Sequence, residues 1–228
     1  MAILAQGVFE SLCKQIELFE RAYRYDGRSR ERVVALGEAE ELYFRLYPHQ
    51  YRALQTIRIA SQLGRMASAS EDHIYRCESR LISILMKIIL DGLKSGDLQL
   101  RDRQRPSELV FTLWSLAFGA RALMDTGVAT HQLGIEDGFR VVRDATELML
   151  DALNWAPLST QWDYGKTRER IRQVLFSNEW RMVERETSPA PSTNDATPRQ
   201  TDGSNKTQPA TPRASTDARV EQSPLRIP

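Results

Sequence analysis

Histidine, cysteine and strand-type patterning are scarce in this sequence. The three histidines, His49, His73 and His131, are spread over different segments. None lies four residues from another or three after a glutamate, so the spacings of zinc and di-iron sites are missing. The two cysteines, Cys13 and Cys77, stand far apart with no C-x-x-C pair. That argues against a disulfide framework and suits a reducing cytoplasm. No G-x-S-x-G, G-x-x-x-x-G-K or G-x-G-x-x-G occurs. His73 and Cys77 are one helical turn apart, but a lone cysteine on an apolar face is ordinarily core filler. We therefore expect no enzymatic activity, no cofactor and no metal.

Net charge and long apolar runs are lacking as well. The formal charge is +1, so global charge implies no nucleic-acid or membrane partner. The longest apolar run, residues 109–120, covers about a dozen positions, whereas a membrane-spanning helix takes roughly twenty. The opening MAILAQGVFESLCKQ has no basic stretch and reaches Glu10 too early for a secretory signal. A cytoplasmic chain with no membrane partner is expected. At 228 residues and 41% hydrophobic, it can bury a sizeable core.

What is present is helix-period patterning. The spacing predicts an all-α bundle of about seven helices. Helix one covers about residues 3–24, with Val8, Leu12, Ile16 and Phe19 on one face, and ends at the turn Tyr25-Asp26-Gly27. Helix two opens at Ser29, read as its N-cap with Arg32 where a capping box would want Glu, and runs to Tyr47. Pro48 starts helix three, to about Leu63. Helix four begins at Ser70, with Glu71 and Asp72 in its first turn, and closes at Gly96 in a left-handed conformation. Helix five spans Pro106 to Thr126, with Gly127 beyond it. Helix six covers about residues 135–155, and Pro157 follows. A charged helix seven covers about residues 163–186. The Arg-rich stretches, 21–32 and 166–185, read as solvated helix faces. From Thr187 the chain carries seven of its ten prolines and few large apolar residues. Such a segment cannot offset its ordering entropy, so a disordered tail is expected over 187–228.

Helices four and five carry more apolar surface than one core needs. LISILMKIIL, residues 81–90, is apolar nearly all round except Ser83 and Lys87. Helix five has one stripe at Leu109, Leu113, Leu116, Ala120 and Leu123, and a second at Val110, Trp114, Ala117, Phe118 and Met124. Helix six adds Phe139, Val142, Thr146, Met149 and Leu153. Two consecutive helices with such seams suit a four-helix contact between two chains. The alternative is a monomeric bundle whose last helix covers the extra surface.

Residues 1–155 resemble the ligand-binding and dimerisation body of TetR-type transcriptional regulators. The likeness lies in the order and spacing of the helices, with Leu93-Lys94-Ser95-Gly96-Asp97-Leu98, Pro106-Ser107-Glu108-Leu109 and Gly119 at the end of the pocket helix and along the dimer helix. The resemblance implies a ligand-binding and dimerisation domain over 1–157, an additional charged helix over 158–186, and a homodimer. The dimer-interface residues expected are Leu109, Leu116, Ala120, Leu123, Phe139, Val142 and Met149. A DNA-reading helix-turn-helix is not found, so DNA is expected as a partner only if such a head lies upstream.

The physics of helical pockets suggests where an effector would sit. Tyr43, Phe44, Tyr47 and Tyr51 cluster at the junction of helices two and three. His73, Cys77 and Leu81 share a face of helix four, and Trp114 and Phe118 lie on helix five. These nine could line a cavity for a hydrophobic or aromatic small molecule. They could equally be plain core packing. Two functions follow: the ligand-sensing and dimerising part of a TetR-type regulator, or a headless helical dimerisation and interaction module with no DNA role.

Overall fold

Apolar residues recur at three- and four-residue spacing, and the backbone answers with helices. The computed structural model describes residues 2–62 and 68–187, with side chains over 6–58, 71–127 and 130–185. These residues form α1 (Ala2–Tyr23), α2 (Ser29–Leu46), α3 (Pro48–Gln62), α4 (Ser68–Ser95), α5 (Pro106–Thr126), α6 (Val128–Gln132), α7 (Gly138–Ala152), α8 (Tyr164–Val174) and α9 (Ser177–Thr187). Among the described residues there is no strand, and no helix is long and apolar enough to cross a membrane. Of the expected tail over 187–228, Thr187 is the last residue of α9 and the rest lies outside the described residues.

Local chemistry sets the boundaries. At α2 the N-cap is Arg28 rather than Ser29, and Glu31 accepts from the Arg28 backbone N–H at 2.9 Å. The capping-box glutamate is thus one residue earlier than expected. Arg105 and Glu108 repeat the arrangement at 3.2 Å where α5 starts on Pro106. Asp137 and Asp163 cap α7 and α8, each accepting a backbone N–H at 3.0 Å. Gly96, with φ of 78°, ends α4 as expected, and Leu98 N–H bonds back to the Gly92 carbonyl at 3.0 Å. Gly127, with φ of 69°, ends α5.

Two departures from the expected seven helices have local causes. The short α6 fills the connection between Gly127 and Asp137. The last charged helix is broken between α8 and α9, where fully buried Phe176 turns into the core. The carbonyl of Leu175, at the end of α8, accepts from Arg21, whose guanidinium also pairs with Glu179 at the start of α9. A cation at one helix end and an anion at the next helix start both suit the helix dipoles.

The core is built around α2, which touches α1, α3, α4, α8 and α9. Ala35, Leu36, Ala39 and Leu42 of α2 pack with Ile88 and Ile89 of α4, Leu109 of α5, Leu150 of α7 and Ile171 of α8. A second cluster joins α1, α3 and α4 through Val8, Leu12, Leu54, Ile57, Ile74, Cys77 and Leu81. Gly92 lets α4 approach α2 closely: a Cβ there would meet Ser29 Oγ at 2.9 Å and the Trp155 ring at 3.2 Å.

The arginine stretches are not simply solvated faces. Arg30 is fully buried. It donates to Asp151 at 2.6 Å and to the carbonyls of Trp155, Pro157 and Glu147 at 2.7, 3.0 and 3.3 Å. Its guanidinium lies 4.6 Å from the Tyr164 ring centre. Trp155 Nε1 donates to Ser29 at 2.9 Å. Arg172 of α8 donates to Glu38 of α2 at 2.6 and 3.3 Å. Buried charges persist only when paired in this way. The central helix, α2, therefore carries buried charges that are matched by partners on α7 and α8.

Candidate ligand-binding site

The helices leave a cavity of about 190 Å³ at their junction. One wall is α2, from Val33 to Tyr43. Phe19 of α1, Leu54 of α3 and Leu81 and Leu85 of α4 close one side. Leu113, Trp114, Ala117 and Phe118 of α5 and Phe139 and Val142 of α7 close the other. The lining is mainly apolar, as small-molecule sites between helices are.

Gly37 borders this space and is exposed. It sits inside α2, lines the cavity, and a Cβ built on it meets nothing within 4 Å. Alanine would fit there and would favour the helix by about 1 kcal/mol.

Polar groups converge on the same walls. Arg121 of α5 is 6% exposed and pairs with Glu40 of α2. Glu40 also accepts from Gln15 at 2.8 Å. Arg121 lies 5.7 Å from the ring centre of Tyr51, which is 5% exposed. The Tyr51 hydroxyl and Arg121 Nε have no hydrogen-bond partner among the described residues. Groups this buried are ordinarily satisfied. Tyr43 is a contrast: its hydroxyl is within 3.1 Å of Ser11 Oγ, and burial pushes its pKa up to about 12. Glu38 and Glu41 are buried on the α2 wall and paired, Glu38 with Arg172 and Glu41 with Arg45 and Arg143. Burial pushes the Glu38 pKa up, partly offset by Arg172.

Of the nine expected pocket residues, Tyr43, Tyr51, Leu81, Trp114 and Phe118 line this cavity. Phe44 stands behind them, edge-on to Tyr51 and Phe139 at 5.3 and 5.4 Å between ring centres. Tyr47 stacks at a tilt on Tyr43 at 5.6 Å. His73 and Cys77 are not brought to the cavity. His73 packs on Phe9 at 4.5 Å. Cys77 belongs to the second core cluster, where burial pushes its thiol pKa up. The missed lining residues are mostly apolar, such as Val33, Leu54, Leu85 and Leu113, but they include charged ones, among them Glu40, Arg58, Arg121 and Arg143. Aromatic spacing carries no signal for them.

The expected interface residues divide. Leu109 is buried in the chain's own core, and Met149 packs against it. Phe139 and Val142 turn to the cavity. Leu116 and Ala120 are half-buried and Leu123 is exposed. The exposed positions along the middle of α7 are instead Arg140, Val141, Asp144 and Leu148. Phe111 on α5 and Leu148 on α7 are 73% and 71% exposed. Among the described residues no group of three acidic, histidine or cysteine side chains could hold a metal ion. No protein-family model, curated protein or solved structure matches this chain, so the reading of the site stands on its own geometry.

Proposed function

We propose that this chain is a small-molecule-sensing and self-pairing body of a transcriptional regulator of TetR type. The observation that carries the reading is the cavity. It is mainly apolar, is walled by six helices besides α2 and is bordered by Gly37, and two of its wall residues, Tyr51 and Arg121, carry buried polar atoms without partners among the described residues. In a chain with no catalytic motif, such a site favours binding over chemistry. The exposed Phe111 and Leu123 of α5 and Val141 and Leu148 of α7 support self-pairing, because large exposed apolar side chains in number suit an interaction surface. Specific DNA contact belongs, in this reading, to a helix-turn-helix unit in the assembled regulator.

The second reading is a helical pairing module with no ligand. It shares the exposed α5–α7 face but leaves the cavity unexplained. Thermal unfolding against a panel of neutral aromatic compounds separates the two. A dose-dependent rise in Tm that disappears in Gly37→Leu, which fills the cavity, supports the sensor. No rise with any compound supports the pairing module. Sedimentation velocity should give a dimer for the wild type and a monomer for Leu148→Glu. A wild type that stays monomeric at high micromolar concentration removes self-pairing from both readings.

A further inference from the structure

The geometry points to an uncharged ligand of single-ring size for this cavity, with organic acids and amines both disfavoured by the ion pairs of the wall. The inference rests on the sensing role proposed above and specifies its ligand.

Size comes first. An apolar cavity of about 150 Å³ accommodates benzene, and this one measures about 190 Å³. One aromatic ring with a short substituent fills it.

Charge narrows the chemistry. Four glutamates and four arginines line the cavity, and each already has its counter-charge. Glu38 pairs with Arg172, Glu40 with Arg121, Glu41 with Arg143, Glu147 with Arg168, and Arg58 with Glu78. The first three pairs tie α2 to α8, α5 and α7. Neither partner can turn to a ligand without giving up a contact between helices. An incoming carboxylate would find no cation in excess, and an incoming ammonium no anion in excess. Either would be a buried charge without a partner, which is strongly disfavoured.

Three of the lining rings are taken as well. An aromatic face can hold an ammonium in place of a carboxylate. Tyr51, Phe118 and Phe139, however, already have the guanidinium groups of Arg121, Arg58 and Arg45 at 5.7, 5.8 and 4.6 Å from their ring centres. A second cation against these rings would meet like charge. A neutral ring can pack on the same walls and leave every ion pair intact.

Three probes of similar shape test this by titration calorimetry on the full chain at neutral pH: ethylbenzene, benzoate and benzylammonium. Ethylbenzene should bind at least about tenfold more tightly than either ion. Its binding should be lost in Ala117→Leu, which adds bulk on the cavity wall. Two further variants unbalance the wall. Glu40→Gln leaves Arg121 without its carboxylate, and should strengthen benzoate by about tenfold while leaving ethylbenzene unchanged. Arg121→Met leaves Glu40 in excess, and should strengthen benzylammonium to a similar degree. The wild-type comparison decides the inference even where a variant does not fold. Either ion binding the wild type as tightly as ethylbenzene overturns the uncharged-ligand inference, with sensing intact. Ion affinities unmoved in both folded variants also overturn it, because the wall's charges then do not select. If none of the three probes binds, or ethylbenzene binding survives Ala117→Leu, the sensing role fails and the inference falls with it.

Discussion

Two buried arginines, Arg30 and Arg121, mark two regions built to opposite rules. Around Arg30 the chain fills its space. One guanidinium ties α2 to Asp151 and to the carbonyls that end α7, with Tyr164 stacked over it. Around Arg121 the chain leaves space. One carboxylate balances the charge, a donor stays unused, and a glycine interrupts the α2 wall. The same residue type thus serves as a structural tie in one place and a polar fixture of a cavity in the other. Removing the tie should lower stability, whereas repairing the cavity should raise it.

The largest effect is expected at the tie. Arg30→Met removes its bonds to Asp151 and to three carbonyls. Those of Trp155 and Glu147 lose their side-chain donor, while Ser159 still serves Asp151 and Tyr164 still serves Pro157. The change should lower unfolding free energy by about 4 kcal/mol. Urea denaturation measures it, and a loss near that of an ordinary surface substitution would erase the distinction between the regions. Arg172→Met comes second. It strands buried Glu38, and should cost about 2 kcal/mol at neutral pH, less than a fully sealed pair because Arg172 is partly in water. The pH dependence has a definite sign. Burial raises the folded-state pKa of Glu38, so the folded state takes up its proton before the unfolded state does. Without Arg172, which lowers it, the folded-state pKa of Glu38 rises further, so the penalty in Arg172→Met should be full above that higher pKa and shrink as pH falls from it towards the wild-type one. A pH-independent penalty would place the loss elsewhere.

On the cavity side the sign reverses. Gly37→Ala should stabilise by about 1 kcal/mol, through helix propensity and a Cβ that enters open space. Tyr51→Phe should stabilise by up to about 1 kcal/mol, because a buried hydroxyl without a partner is removed. A destabilised Tyr51→Phe would mean that the hydroxyl is satisfied in solution. The smallest effect belongs to Leu148→Glu, which should change the stability of a single chain by less than about 0.5 kcal/mol. Its consequence is expected in sedimentation instead.

Helix periodicity made the scaffold legible. Seven expected segments account for eight of the helices found among the described residues, and the stops at Gly96 and Gly127 follow from local backbone chemistry. The short α6 and the break at Phe176 were not legible, because a buried aromatic and a cap supplied by Arg21 are tertiary events. The cavity was half legible. Tyr43, Tyr51, Leu81, Trp114 and Phe118 follow from aromatic and apolar spacing. The charged lining does not, because a glutamate or arginine on an amphipathic pattern reads as solvent-facing until its partner on another helix is known. The phase of α7 was misread for a related reason. Phe139 and Val142 were assigned outward, whereas the cavity draws them in.

The four tryptophans fall into four surroundings, which gives the chain a built-in set of optical reporters. Trp155 is sealed beside Ser29, Trp180 lies 4.0 Å beneath the Arg172 cation, Trp114 stands on the cavity wall, and Trp162 is open to solvent. Iodide should quench the red, solvent-exposed share of the emission from Trp162 and spare the blue share from Trp155. A molecule entering the cavity should alter the Trp114 share, while loss of the tie at Arg30 should first redden the light from Trp155. One emission spectrum can therefore tell a filled cavity from a loosened scaffold.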